Sequence, residues 1–386
     1  MSPGAAPDRS TLPAPPTRPA PPTERRTVVA VVTVLCVVGV VSWIVVVAAV
    51  LRAREDAGAN APTATTDAST ADTADEAETT PTVPSFGPDL DGFDGDIASI
   101  TAVPAGARPY GLVADGEAVW VTNNVGGTVT RLDPATGRTL ATVEVGRCPE
   151  RLAASEGAVW VVNACDATVS HVDTATDAVV ATVPLDAQPQ AIAASDDAVW
   201  VTTLGAPNLL RIDPETNRIA GGLTIPATLV GVAADDEAVW VTDEADAGRV
   251  IRVDPATEQV VEEVAVGPDP SGVALAEDGG VWIVDRGGDT VTTLEGDQVV
   301  DDYALEAGGF PTGTRSVITT SPGRAWATHS GALVRIDAET GEVSSAQICT
   351  LEDVNAAAVV GFSVWVTCLD SLGDAGSVQR IDLDGG

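Results

Sequence analysis

Three features of the sequence predict an all-β fold, a seven-bladed β-propeller. Trp120, Trp160, Trp200, Trp240, Trp282, Trp326 and Trp365 recur at spacings of 40, 40, 40, 42, 44 and 39 residues, the period of a unit built from four short strands. Most of them stand in a Val-Trp-Val or Val-Trp-Ile setting, and β-branched neighbours favour strands. The third feature is a mismatch at the two ends of the repeat array. Six outer strands follow a Trp, at 140–145, 179–183, 219–225, 260–266, 299–305 and 343–348, whereas the seventh unit stops after its third strand at 378–381. Ile97 to Val103 alternates in the same way and belongs to no unit of its own. It is expected to complete the last blade, which removes both exposed sheet edges.

Each unit divides in the same order. In the second, 151–154 forms a small-residue inner strand, 158–162 a second strand, 168–172 a third and 179–183 the outer one. The third and outer strands are joined by Asp133-Pro134-Ala135-Thr136-Gly137 in the first unit, with related turns at Asp213-Pro214 and Asp254-Pro255. The Asp caps the turn amides and Pro presets φ, so these carboxylates are structural. The Trp residues share one register and are expected to fill the gap between adjacent sheets. Arg131, Arg211, Arg252, Arg335 and Arg380 stand two residues before an Asp, on one face of a strand, where a repeated ion pair is expected.

Before the repeats the chain changes character twice. Residues 1–27 are rich in Pro, Ala and Thr with Arg9, Arg18, Arg25 and Arg26, a composition that reads as a disordered cytoplasmic tail. Residues 28–51 are 24 uncharged, mostly aliphatic residues, long enough for a transmembrane helix. Arg52 and Arg54 close this run, and no basic residue follows until Arg108. The positive-inside rule then keeps the N-terminus cytoplasmic and puts residues 97–386 outside. A cleaved signal peptide is the competing reading, since Ala59-Asn60-Ala61 resembles a cleavage site; the run is too long for an ordinary signal core. Residues 52–96 hold 11 acidic side chains after Arg54 among Ala, Thr and Pro, and are expected to form a disordered tether reaching roughly 35–40 Å. Asp89, Asp91, Asp94 and Asp96 miss the spacing of a calcium loop.

Charge narrows the partners. The chain carries 20 Arg and no Lys against 56 acidic residues, a formal net charge of −36, which repels nucleic acid and excludes binding by phosphate neutralisation. No Ser nucleophile motif, Cys/His pair, phosphate loop or His-rich metal signature is present, so neither a catalytic residue nor a cofactor or metal is assigned. Asp243, Glu244 and Asp246 read as a surface charge cluster rather than a calcium site.

The run Val-Trp-Val-x-Asn, then Thr-Val, Arg-Leu-Asp-Pro-x-Thr-Gly and Val-x-Val-Gly-x-x-Pro, resembles bacterial propellers of the YVTN repeat type and is similar to the streptogramin (virginiamycin B) lyase family. The resemblance spans 97–386 and implies seven blades. It also implies inner-strand histidines acting with a carboxylate and a magnesium ion. The corresponding inner-strand positions here hold Tyr110, Glu150, Gln190, Val230, Ser271, Ser316 and Asn355. None is His, and no lyase residue carries over. His171 lies on a third strand where other units have Arg, and His329 in a loop. The expected function is therefore a membrane-anchored extracytoplasmic module that binds a protein or a small anionic ligand, with a lyase-type propeller enzyme as the alternative.

Cys36 lies in the apolar run, which leaves Cys148, Cys165, Cys349 and Cys368 in an oxidising compartment. Three pairings are formally possible. The start of an inner strand lies opposite the end of its antiparallel neighbour, which predicts Cys148–Cys165 and Cys349–Cys368. The loops entering the inner strands and those leaving the second strands then share one face. That face holds the candidate binding residues Arg108, Tyr110, Asn123, Arg147, Arg151, Gln190, Arg286, Arg315 and His329, with Asn163 nearby. Only 14 Arg follow residue 97, against 43 acidic residues, and five of them fall here. Two readings stand: the guanidinium groups focus an anionic group at the channel mouth, or they neutralise Asp269, Asp285 and Asp353.

Overall fold

The computed structural model describes residues 97–386 except 245–247, 306–315, 330–331, 350–352, 370–375 and 384–386. The expected tail, membrane span and tether at 1–27, 28–51 and 52–96 lie outside the described residues, as do Asp246 and Arg315. The described chain forms 28 strands and no helix. They make seven four-stranded antiparallel sheets, six of them sequential meanders. These blades cover 109–144, 149–184, 189–223, 229–265, 270–304 and 318–347, and the seventh joins 353–383 to Ile97–Val103.

The closure follows the sequence expectation. Ile97 pairs with Leu383 and Val103 with Val378, an antiparallel register along the edge of blade 7. Val103 packs beneath Trp365 together with Leu112, Val119 and Leu132 of blade 1. Each other Trp likewise faces the following sheet: Trp120 contacts Leu152, Val159, Val161 and Val172 of blade 2. Five of the seven indoles are completely buried, and truncating such a side chain costs about 3–5 kcal/mol.

The strand pairing sets a third-strand residue opposite each Trp: Arg131, His171, Arg211, Arg252, Thr293, Arg335 and Arg380. Arg131 lies 5.5 Å above the Trp120 ring, Arg252 5.8 Å above Trp240 and Arg380 6.0 Å above Trp365. His171 fills the Arg slot by stacking on Trp160 at 4.1 Å. Blade 5 has Thr293 there, and Tyr303 of the outer strand covers Trp282 instead.

The expected Arg–Asp pairs within one strand need correction. Arg380–Asp382 forms at 2.7 Å, but Arg131 crosses to Asp177 of blade 2 at 3.1 Å and Arg211 to Glu258 of blade 4 at 3.8 Å. The reason is local competition. Asp133 Oδ1 already accepts the Ala135 and Thr136 amides, and Asp173, Asp213, Asp254 and Asp337 do the same in their turns. Those hydrogen bonds hold all five carboxyls below the usual Asp range, the Thr three residues after each Asp contributing most. The residue that ends each turn adopts positive φ, as at Gly137, Asp177, Asn217, Glu258 and Gly341, and Asp177, Asn217 and Glu258 are the side chains that receive the preceding blade's Arg or His.

Both predicted disulfides are present, Cys148–Cys165 with Cα atoms 5.4 Å apart and Cys349–Cys368 at 5.6 Å. Cys148–Cys165 ties the loop entering an inner strand to the loop leaving the second strand, Cys349–Cys368 ties the loop entering an inner strand to the end of the second strand itself, and each stabilises by about 3 kcal/mol in the chain-entropy view.

Deleting Ile97–Val103 should destabilise the whole domain by more than about 4 kcal/mol, read as one cooperative calorimetric transition moved down in temperature. A truncated chain that melts like the intact domain would show that the seventh blade closes without this strand.

Candidate functional site

The inner strands converge on the propeller axis, where space is short. A Cβ at Gly231 would stand 2.6 Å from the Ser271 carbonyl oxygen of the next blade, and one at Gly272 would stand 2.9 Å from that of Ser316; only glycine permits such an approach. A β-bulge interrupts the first pairing of the inner strand in blades 1–5 and 7. The bulge turns an amide out of the ladder, and a Thr two residues after the Trp captures it. Thr122 accepts from Gly111, Thr202 from Ala191 and Thr242 from Gly231; Thr328 does the same for Val317 in blade 6. Several of these hydroxyls then donate to the next blade, Thr122 to the Glu150 carbonyl at 3.0 Å and Thr367 to that of Tyr110 at 2.8 Å. The sequence reading missed this role, although Thr at that position in five blades was the visible signal.

A central cavity of ≈ 310 Å³ is lined by the inner strands of all seven blades. Its wall is mainly aliphatic, with Leu112, Val113, Ile192, Val232, Val273 and Ala357 among its members, and Arg151 is the one charged lining residue among the described residues. Arg151 Nη1 donates to the Asn355 carbonyl of blade 7 at 2.9 Å, and its guanidinium lies 5.5 Å above the Tyr110 ring of blade 1. Three blades thus meet around one cation. Asn355, 6% exposed, carries an amide nitrogen with no hydrogen-bond partner among the described residues.

Of the nine candidate binding residues, Tyr110 and Arg151 are therefore brought together at the cavity. Gln190 is half-buried in the equivalent inner-strand register and donates to the Pro189 carbonyl at 3.2 Å. Arg108 adopts φ 55° ahead of Pro109, its Nε buried without a partner among the described residues. The others engage neighbouring groups. Arg147, 77% exposed, binds Asp166 at 2.6 Å. Arg286 lies between Asp269 at 2.7 Å and Glu244 at 2.8 Å, so the neutralising reading describes it for Asp269 but not for Asp285. Glu244 and the buried Asp243, which binds Arg249 at 2.8 Å, are ion-pair partners rather than free surface charge. Arg315 lies outside the described residues, and so does the side chain of Asp353.

Asn123 and His329 belong to a second ring, three residues after each Trp. Its members are Asn123, Asn163, Thr203, Asp243, Asp285, His329 and Cys368. Asn123 accepts from the Gly106 amide at 2.9 Å and donates to Thr128 and Thr130, and Asn163 repeats this with Gly146, Thr168 and Ser170. Each side chain clamps the incoming loop over the second strand, which is a role in the fold. His329 is buried, which pushes its imidazole below the ordinary His value, opposed by the charge of Asp289.

Comparison with known proteins agrees with this architecture. Residues 96–371 match the model of the virginiamycin B lyase family. A streptogramin B lyase structure superposes with a TM-score of 0.62 at 17% identity, covering 75% of this chain and 98% of that one. The virginiamycin B lyase of Staphylococcus aureus, solved as a catalytically inactive variant with quinupristin, gives 0.63 at 15% identity over 74% and 99%. Hydrazine synthase of Kuenenia stuttgartiensis gives 0.58 at 14% over 72% and 96%. At such identities these structures share the fold alone. No curated protein matches the sequence.

Asp285 occupies the same position of the clamp ring in blade 5. It is fully buried, accepts from Thr292 at 2.5 Å, and leaves Oδ1 without a partner among the described residues. Burial, reinforced by Asp302, pushes its pKa up to about 6. A folded-state pKa above the unfolded one means that the stabilising contribution is complete below about pH 4 and is lost as pH rises through 6. Asn at 285 would meet Thr290 and Thr292 at the spacing that Asn123 finds with Thr128 and Thr130. Asp285→Asn should therefore stabilise the domain at pH 8 by about 1–3 kcal/mol and leave it nearly unchanged at pH 4, measured by thermal melting at both values. Equal effects at the two pH values would sink the assignment.

Proposed function

The chain belongs to the virginiamycin B lyase family, and within it we propose that this protein is a membrane-anchored, extracytoplasmic binding module whose channel mouth takes a protein or a small anionic ligand. The observation that carries the reading is the axis itself. Arg151 supplies its charge, aliphatic side chains supply its wall, and neither His171 nor His329 is among the lining residues. His171 stacks on Trp160 at the rim, and His329 lies in the clamp ring. General acid–base work at the channel would need a titrating group there. The apolar run at 28–51, its Arg asymmetry and the acidic segment that follows support the anchored placement.

The family also suggests magnesium, and the residues at the channel mouth do not fit it. A hard cation of this kind wants several oxygen ligands, carboxylates foremost. The register here offers Glu150 as its single carboxylate. No group of three His, Cys, Asp or Glu side chains is placed to hold a metal among the described residues. The lyase reading retains the fold and the family in its favour, but no step can be built on this ring.

Two measurements test the proposal. Protease added to intact spheroplasts should release a soluble fragment that begins within residues 52–96, and protection of the domain would refute the placement. Mild crosslinking of membranes followed by capture and mass spectrometry should recover a partner or ligand with the wild-type chain and several-fold less with Arg151→Ala. Undiminished capture accompanied by a lowered melting temperature would assign Arg151 to the fold instead.

A further inference from the structure

Two sulfur bridges at near-equivalent places in blades 2 and 7 differ in what surrounds them. Cys349 and Cys368 are each 2% exposed and sit inside an apolar cluster with Leu333, Ile348, Val354 and Val366. Cys165 is exposed and Cys148 half-buried. The bridge of blade 2 also overlies a loop that other contacts already hold. Asn163 accepts from the Gly146 amide at 3.1 Å, Asp166 accepts from the Arg147 amide at 2.7 Å and from its guanidinium at 2.6 Å, and the Ala164 amide donates to the Cys148 carbonyl at 3.0 Å. Cys148 adopts φ 52°, and so, ahead of Pro109 and Pro270, do Arg108 at 55° and Asp269 at 58°. In those two blades the matching amides of Asn124 and Arg286 reach the carbonyls of Arg108 and Asp269 at 2.9 and 3.1 Å. The left-handed backbone is therefore a property of the loop, kept in blades 1 and 5 without any sulfur, and opening the bridge leaves it in place.

We propose that Cys148–Cys165 is a reversible thiol–disulfide exchange site whose reaction partner is a dithiol, while Cys349–Cys368 is a permanent structural link. The site goes beyond the binding reading and does not depend on it. Exchange needs a thiolate to reach one sulfur in line with the S–S bond, so access selects the reactive bridge. Cys165 is the exposed member. A thiolate of the dithiol attacks its Sγ, the Sγ–Sγ bond breaks, and Cys148 leaves as a thiolate that takes a proton from water. The second thiolate of the dithiol attacks its own sulfur in the mixed disulfide and expels Cys165, which is protonated in turn. Two electrons and two protons pass to the protein, and the dithiol becomes a disulfide. The reverse reaction is prepared as well, since the loop contacts keep the two Cα atoms near their bridged separation of 5.4 Å. For Cys349 and Cys368 the same attack requires opening the core between blades 6 and 7.

The test treats the folded full-length protein with dithiothreitol, quenches by alkylation at timed intervals, and follows Cys148, Cys165, Cys349 and Cys368 by peptide mass spectrometry. Cys148 and Cys165 should become labelled at least about tenfold faster than Cys349 and Cys368. With only the first pair reduced, the domain should keep a single cooperative melt. Glutathione disulfide added after removal of the reductant should restore the blade 2 bridge. Single variants identify the attacked sulfur: the thiol left in Cys148→Ser should form a mixed disulfide with glutathione disulfide about threefold or more faster than the thiol left in Cys165→Ser. Should either variant fail to fold, the timed labelling of the wild-type chain decides by itself. The proposal is overturned if the two bridges open at the same rate, if the blade 2 bridge opens only as the domain melts, or if the reduced pair does not close again. Faster reaction of Cys148 than of Cys165 overturns the direction of attack.

Discussion

One indole per interface sets the distance between neighbouring sheets, and everything else in the propeller is arranged around that spacing. A four-stranded blade has two faces to cover and cannot cover either by itself. The Trp at a fixed register makes each face complementary to the next, and the ring closes because the same wedge recurs seven times. Where the covering cation changes, the wedge does not. His171 and Tyr303 replace Arg by ring stacking, so the slot demands a flat group over the indole more than it demands a charge.

Two belts of polar contacts brace this packing at different radii. Near the axis, Thr hydroxyls link a bulge amide to the carbonyl of the following blade. At the rim, Arg131, His171 and Arg211 reach the turn of the next sheet. The scarcity of basic residues in an acidic protein makes their placement informative. Arg131, Arg211 and Arg286 each join two blades, while Arg151 is the one Arg among the described residues that lines the channel. Its surroundings differ in kind: a carbonyl and an aromatic ring orient it, and the adjoining amide of Asn355 has no acceptor among the described residues.

The repeat period, the blade count, the closing strand and both disulfides could be read from the sequence because each follows from translation of one pattern along the chain. A register known in one blade is known in all. What could not be read is whatever depends on contact between successive repeats. Arg131 and Asp133 share a strand face, yet the turn amides hold Asp133 and leave Arg131 to Asp177. Asn123 looked like a surface ligand because it follows the second strand, whereas the loop it clamps approaches from seventeen residues upstream. Asp285 differs from Asn163 only in lacking donors, and nothing in linear order reveals that its site is fully buried. For the channel, the inner-strand register identified Tyr110 and its neighbour Arg151, while the meeting of Arg151 with Asn355 spans 204 residues and needed the ring to be closed.

The first strand also dictates an order of events. Ile97–Val103 leaves the ribosome before any blade exists, and its partner is the last strand of the propeller: Ser99 and Asp382, hydrogen-bonded at 2.9 Å, are 283 residues apart. The first six blades each join strands consecutive in the chain and can form as the chain emerges. The closing contact cannot, and so long a loop is slow to search. Until that strand is made, the nascent propeller is an open arc with a bare sheet at each end, one face of blade 1 and one of blade 6 lacking their Trp-mediated neighbours. That arc is the species on which aggregation would act and which a holding chaperone would recognise. Ring closure therefore marks the moment at which the chain becomes safe to release.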